Sequence, residues 1–285
     1  MDGHIWKEIY QAIRRADRSL ARVGRRPTYT DGLIVGMYMW SVWHDRPLCW
    51  ACDRRNYSSL FRPRRLPSVS QFCKRIHSER CDDILQYLQT HLAGLESFTE
   101  LSFIDGRAMR VGPYSKDREA KSGFAPGGMA KGYKLHAWAT EDGRIPVWSV
   151  MPLNIGEKTV AGEMLCYGRA SGIVLADGGY DAGWLYDRVD NDGGLFITPL
   201  PKNVGGGHRP QSRARLRAAT YWSNVGGYVY RERLRIEQFF AHLSAFGGGL
   251  GQLPPWVRTL RRVRRWIGAK LIIYHARLTL RKAVI

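Results

Sequence analysis

The chain has 285 residues, which is enough for one large domain or two modest ones. It carries 44 Lys and Arg against 25 Asp and Glu, a formal net charge of +19. Residues 201–285 hold 17 Lys and Arg against two acids, Glu232 and Glu237. A basic excess concentrated in one block favours an anionic polymer as partner, nucleic acid before membrane, over a charge that serves solubility alone.

Targeting signals are not expected. Residues 5–13 are amphipathic and are interrupted by Lys7 and Glu8, which argues against a signal peptide. No apolar run reaches the length of a membrane span, so we predict no membrane partner. The expected location is the cytoplasm, with association to the nucleoid.

The cysteines suggest no disulfide framework, because their number is odd and the expected compartment is reducing. Cys49 and Cys52 form a single CxxC, and a zinc site with Cys73, His77 and Cys81 is an open alternative. No second CxxC or HxxxH follows, so buried, reduced thiols are the favoured interpretation.

Residues 1–98 have helical patterning with Arg-rich connections. Asp31 is the predicted N-cap of a helix that runs to Trp40, and Ser68 marks the start of a second helix. Residues 82–95 place their leucines and Ile84 on one face of a third helix. We predict that this region binds a DNA end, with a helical cap on the rest of the chain as the alternative.

Residues 99–285 form the second predicted domain. Runs of β-branched and aromatic residues predict strands at 102–105, 133–140, 145–152, 173–177 and 195–199, and Asp142-Gly143 predicts a hairpin. Helices are expected at 158–171 and 181–190. Three antiparallel strands followed by alternating helices and strands predict an α/β fold, a mixed five-stranded sheet flanked by helices, in the order of a ribonuclease-H-like core.

Three basic segments of this domain are expected to contact DNA phosphates. The first is the Gly- and Lys-rich loop 106–131 with the strand after it, the second a Gly/Arg-rich insertion at 201–229, and the third a basic helix at 254–282. A flexible linker is the alternative for the insertion. The residues expected to bind DNA here are Lys131, Lys134, Arg213, Arg215, Arg217, Arg261, Arg262 and Arg265.

Three acids are candidates for a shared site. Asp105 and Asp177 each follow an apolar strand, and Glu237 lies on the predicted helix 230–243. Carboxylates on neighbouring strand ends and a packed helix can hold two divalent metal ions for phosphodiester chemistry. Asp181 competes with Asp177, but is expected to cap the next helix, and Glu232 competes with Glu237.

One histidine near these acids has two interpretations. His136 lies on the strand expected beside Asp105, from which it could approach a metal ion. A structural, hydrogen-bonded histidine is favoured over that role.

Several motifs resemble the DDE transposases of bacterial insertion sequences, of the type of families four and five, in the group with a Tyr-Arg-Glu-Lys signature. Phe103-Ile104-Asp105-Gly106 resembles the first-aspartate strand, residues 131–136 the strand after it, and residues 176–181 the second-aspartate motif. Tyr230, Arg233 and Glu237 match the spacing of the signature, whereas Ser244 stands where the family has lysine. Residues 25–31 are similar to the N-terminal region of the family.

The resemblance implies a transposase in which Asp105, Asp177 and Glu237 hold two Mg²⁺ ions, with Mn²⁺ as a substitute. It implies hydrolysis at transposon ends, followed by attack of the free 3′-OH on target DNA, with Tyr230 and Arg233 on the phosphates. The partners would be terminal inverted repeats, target DNA and at least one further copy of the chain. A ribonuclease-H-like nuclease or resolvase that only cleaves, and a domesticated DNA-binding protein without catalysis, are open alternatives.

Overall fold

The computed structural model describes residues 2–20, 27–94, 100–199 and 212–282. The chain divides into two compact units. The N-terminal unit comprises residues 1–94, 243–257 and 265–285, and the sheet unit comprises residues 95–242 and 258–264. No helix in the described ranges is both long enough and apolar enough to cross a membrane.

The N-terminal unit is helical, as predicted. Its first four helices are α1 (Asp2–Ser19), α2 (Asp31–Trp43), α3 (Val69–Arg75) and α4 (Glu79–Ala93). Short 3₁₀ turns at Leu48–Cys52 and Arg54–Asn56 connect α2 to α3. Helix α2 buries nearly every residue, because its side chains are apolar on all sides, and Trp40 packs edge-on against Trp6 of α1.

The observed N-cap of α3 agrees with the prediction from the sequence, whereas that of α2 differs from it. Ser68 caps α3 in a complete capping box with Gln71, as its sequence predicted. The N-cap of α2 is Thr30 rather than Asp31, because the Thr30 hydroxyl accepts the bond from the Leu33 amide. Asp31 instead lies buried in the first turn and pairs with Arg75.

The last helix, α10 (Leu260–Lys282), begins six residues later than the predicted 254. In its N-terminal-unit part, Lys270 is fully buried. Its Nζ lies 2.7 Å from a carboxylate oxygen of Asp45 and donates to the Gly248 carbonyl at 3.1 Å. Burial lowers the pKa of Lys270, and the Asp45 carboxylate opposes that shift.

The sheet unit contains six strands within the described residues. They are β1 (Leu101–Arg110), β2 (Lys121–Ala125), β3 (Gly128–Thr140), β4 (Val147–Pro152), β5 (Ile173–Ala176) and β6 (Leu195–Ile197). The order is β2-β3-β1-β5-β6, and β4 also pairs with β3. β1, β3 and β4 are antiparallel, whereas β5 and β6 run parallel to β1.

The five predicted strands are therefore present, but the loop predicted at 106–131 is largely strand. β1 continues five residues beyond Asp105, pairing with β3 as far as Arg110 and Gly132, and β2 forms a hairpin with the start of β3. The predicted hairpin at Asp142-Gly143 is confirmed, with Gly143 at φ +84° and the Thr140 amide bonded to the Arg144 carbonyl.

Helices cover the parallel half of the sheet. α5 (Glu157–Met164) joins β4 to β5, and α6 (Gly183–Asn191) joins β5 to β6. Both are shorter than predicted. The apolar side chains of α5, α6 and β5 share one buried cluster with Ile104 and Trp138, which fixes the strand ends at which the acids lie.

The predicted insertion at 201–229 is helical where it is described. Residues 201–211 lie outside the described ranges. Ser212 caps α7 (Arg213–Tyr221), and helical turns continue through α8 (Gly227–Tyr230) to α9 (Leu234–Ser244). Ala214 and Ala218 bury one face of α7, so this part is a packed helix and not a linker.

Candidate active site

Two of the predicted acids lie side by side at one edge of the sheet. β1 and β5 are parallel, and their pairing ends where Ile104 faces Ala176. Asp105 and Asp177 are the next residues of the two strands, so the backbone register alone places them as neighbours. Each aspartate also accepts a bond from a nearby backbone amide, Asp105 from Gly106 at 2.7 Å and Asp177 from Gly179 at 2.8 Å.

Arg233 connects this pair to the third predicted acid. Its Nη1 donates to Oδ2 of Asp105 at 2.9 Å, and its Nη2 lies 3.6 Å from Oε1 of Glu237, one helical turn later. The Arg233 and Asp105 side chains are only 18% and 15% exposed, whereas the Glu237 side chain is 58% exposed. Glu237 therefore reaches the site through the guanidinium of Arg233.

The electrostatics of the aspartate pair favour bound positive charge. Burial raises the pKa of Asp105 to about 6, with Asp177 and Glu157 raising it and the Gly106 amide and Arg233 lowering it. Burial likewise raises the pKa of Asp177, and Glu157 adds to that shift. The Arg233 guanidinium and one lysine ammonium therefore compensate the charge of these three carboxylates only in part.

The donor set suits a hard divalent cation, because the available ligands are carboxylate oxygens with uncompensated charge. The fit is incomplete for the predicted trio. Among the residues that the structure describes, no three His, Cys, Asp or Glu side chains come together as one metal-binding group. Asp105 and Asp177 could hold a cation, and Glu237 is engaged by Arg233 instead.

The competing acids are bound elsewhere. The carboxylate of Asp181 accepts two bonds from Arg215, at 3.1 and 2.7 Å, and one from the Tyr186 hydroxyl. It does not cap α6, whose N-cap is Ala182. Glu232 is exposed and lies 3.3 Å from Arg235. The geometry therefore favours Asp177 over Asp181.

His136 lies on β3 opposite Gly106. It is fully buried, and its Nδ1 lies 3.3 Å from the Tyr180 hydroxyl. Burial, with Lys134 nearby, lowers the pKa of His136 to about 3, so the ring is neutral at physiological pH. This arrangement agrees with the favoured interpretation of its sequence context.

The predicted DNA-binding residues differ in exposure, and several of them make contacts within the chain. Arg213, Arg261 and Arg262 are exposed, and Tyr230 is half-buried with the Arg233 guanidinium 5.7 Å from its ring centre. Engaged side chains are Lys131 with the Ser115 carbonyl, Lys134 with Glu157, Arg215 with Asp181 and Arg217 with Asp190.

Arg265 corrects the prediction for the last helix. Its side chain is 7% exposed, and its Nη2 donates to Asp82 at 2.6 Å while Nη1 contacts His77. A guanidinium buried in this ion pair is not free for phosphate, so Arg265 makes contacts inside the N-terminal unit instead.

The five cysteines are free, with Cys81 buried and Cys49 exposed, contrary to the expectation that they would all be buried.

One acidic residue beside the pair was missed in the sequence. Glu157, the first residue of α5, accepts from Lys134 Nζ at 2.6 Å and contributes to the raised pKa of both aspartates. A Cβ on Gly179 would lie 2.2 Å from Glu157 Oε2, so a larger residue there would displace this carboxylate. The Gly178-Gly179 pair after Asp177 was the available signal.

The mixed six-stranded sheet flanked by helices, with two acids at the edge between parallel strands, is consistent with a ribonuclease-H-like domain. A family model described as a transposase DDE domain matches residues 96–275, and the chain belongs to this family. Membership implies an enzyme that cleaves DNA and transfers strands. Comparisons with curated proteins and with solved structures gave no match.

Proposed function

We propose that this chain is the transposase of a bacterial insertion sequence, of the group with the Tyr-Arg-Glu-Lys signature. It would hydrolyse a phosphodiester at each transposon end and join the freed 3′-OH to target DNA. The observation that carries the proposal is the neighbouring pair Asp105 and Asp177, which directly follow the parallel pairing of β1 with β5 in a chain of this family.

The cofactor would be Mg²⁺, as two ions, with Mn²⁺ as a substitute. Asp105 and Asp177 would hold the cations, with Glu237 as the proposed third ligand. When bound, the ions supply Lewis acidity for the attacking and leaving oxygens. Asp105 has to be ionised for this role, and its pKa of about 6 leaves it mainly ionised at neutral pH.

DNA would be held by the basic surface of the sheet unit. Arg213 and Arg262 are exposed residues whose guanidinium groups would contact phosphates without reading sequence, and Arg261 is exposed beside Arg262. Arg233 and Tyr230 lie beside Asp105 and would position the phosphate of the cleaved end. Joining two ends implies at least a dimer in the active assembly, on terminal inverted repeats and target DNA.

The decisive experiment measures cleavage and joining separately. The full chain is incubated with Mg²⁺, target plasmid and linear DNA that carries the terminal repeats flanking its gene. Asp105→Asn is expected to abolish both steps while DNA-end binding persists. Asp187→Asn, outside the acidic pair on α6, is the control and should keep both activities. Unchanged cleavage by Asp105→Asn would refute the assignment of the site.

Two other functions would give different results in the same assay. A nuclease or resolvase would cleave the ends but never insert a pre-cut end with a free 3′-OH. A DNA-binding protein without catalysis would bind the ends and do neither. The second has one observation in its favour, since Glu237 is exposed and engaged by Arg233 and not grouped with the aspartates.

A further inference from the structure

The carboxylate of Glu157 lies within electrostatic reach of the aspartate pair. Its Oε2 is 2.2 Å, and Oδ1 of Asp177 is 2.9 Å, from the point where a Cβ on Gly179 would stand. The two oxygens are therefore no more than about 5 Å apart, the sum of those distances. At that separation a charge in a partly buried site interacts strongly with an ion held by its neighbour.

Glu157 is paired with the cation Lys134. Lys134 Nζ lies 2.6 Å from its Oε1, and the two side chains are only 15% and 24% exposed. The Lys134 stem in turn runs over Gly106, where a Cβ would lie 2.8 Å from its Cδ. The glycines that follow Asp105 and Asp177 thus make room for the two members of this ion pair.

We propose that Glu157 and Lys134 are positioning residues that set the affinity of the Asp105–Asp177 pair for divalent cations. Glu157 adds negative charge beside Asp177 and strengthens cation binding. Lys134 neutralises part of that negative charge and weakens cation binding. The inference rests on the proposed metal-dependent function, and it assigns to Lys134 a role at the acidic edge instead of at DNA.

Replacing each member of the Glu157–Lys134 ion pair in turn distinguishes an electrostatic role from a structural one. If the pair only stabilised the fold, Glu157→Gln and Lys134→Met would alter cation binding in the same direction. If charge governs the site, the first weakens binding and the second strengthens it. The double variant removes both charges and should return close to wild-type affinity.

The test uses Mn²⁺ as the probe with the full chain at pH 7.5, in the absence of DNA. Free Mn²⁺ is measured by electron paramagnetic resonance during titration, and calorimetry with Mg²⁺ provides a second readout. We expect about tenfold weaker binding for Glu157→Gln and several-fold tighter binding for Lys134→Met. Circular dichroism and thermal melting establish that each variant is folded.

Matched controls come from the same helix. Glu163 and Lys158 are exposed residues of α5, and Glu163→Gln and Lys158→Met should leave Mn²⁺ affinity within about twofold of wild type because solvent screens their charges. Equal, same-direction changes in Glu157→Gln and Lys134→Met would overturn the inference. So would wild-type affinity in both.

Failure of the inference can be told apart from failure of the proposed function. Asp105→Asn and Asp177→Asn are measured in the same titration. If they abolish Mn²⁺ binding while the Glu157 and Lys134 variants bind like wild type, only the inference fails. If wild type binds no Mn²⁺, or the aspartate variants bind like wild type, the metal site itself is wrong and both fail.

Discussion

The ion pair between Arg233 and Asp105 should have a stability contribution that depends on pH. Arg233→Gln removes the guanidinium that lies 2.9 Å from Oδ2 of Asp105, with both side chains largely buried. A hydrogen bond to a charged group in such a site contributes about 1.5–3 kcal/mol. The lost contact to Glu237 adds little, because that carboxylate is mostly exposed and lies at 3.6 Å.

The sign of the pH dependence follows from the Asp105 carboxyl. Its pKa in the fold, about 6, is above its ordinary value because burial disfavours the ionised form. At pH 8 Asp105 is ionised, and Arg233 compensates its charge. Below pH 6 it becomes protonated, and the pairing energy is lost. Arg233→Gln should therefore cost about 2 kcal/mol at pH 8 and under about 1 kcal/mol at pH 5.

A double-mutant cycle isolates the pair. Urea unfolding of wild type, Arg233→Gln, Asp105→Asn and the double variant is followed at pH 8 and pH 5. Asp105→Asn alone should stabilise the fold at pH 8, because it removes a buried charge whose pKa is raised. Arg231→Gln, at an exposed arginine two residues earlier, is the control.

Two results would contradict this reasoning. The first is an equal loss of stability for Arg233→Gln at both pH values. The second is the same loss with and without Asp105, which would mean that the guanidinium stabilises the fold through packing and not through that carboxylate.

Three further predictions concern other parts of the chain. In the N-terminal unit, Asp45→Asn should lower the free energy of unfolding in urea by about 1–2 kcal/mol, because Lys270 stays buried without its anion. Lys270→Met should change that free energy by less than about 1 kcal/mol. A larger loss for Lys270→Met than for Asp45→Asn would contradict the assignment. Gly172→Ala should lower stability by over about 2 kcal/mol in thermal unfolding, because its Cβ would lie 2.3 Å from a backbone oxygen. Gly179→Ala should lower stability by less, since the nearest obstacle is the movable Glu157 carboxylate. Equal losses of stability would refute this. DNA affinity measured by fluorescence anisotropy should fall at least a hundredfold between 50 and 200 mM salt, and a salt-insensitive affinity would exclude the basic surface as the DNA platform.

The position of the aspartate pair could be predicted from the sequence, because each aspartate directly follows an apolar run that forms a strand. Asp105 and Asp177 each end an apolar run, and parallel neighbours bring such ends to one edge. The extent of β1 was not predictable in the same way. Its residues after Asp105 include one large apolar side chain, Met109, and they form strand by pairing with the long β3.

The helix α7 and the carboxylate of Glu157 were missed for different reasons. Ser212 followed by Ala-rich sequence was a readable helix start, but the glycines and arginines of the segment were interpreted as an insertion against phosphate. Glu157 had no local signal, since an acid in the first turn of a helix is common. Its position beside Asp177 depends on how α5 packs on the sheet, which a single sequence does not report.

Arg233 contacts both Asp105 and Glu237, and this explains why the described residues contain no group of three acids although these two lie near each other. Its guanidinium already provides positive charge at Oδ2 of Asp105, and it draws Glu237 toward itself across one helical turn. A cation at the same carboxylate would lie close to the guanidinium, and the repulsion of the two positive charges would weaken the contact of Arg233 with Asp105. Under the proposed function, a guanidinium whose contact is weakened in this way would be placed beside the aspartates to bind the phosphate of a DNA end.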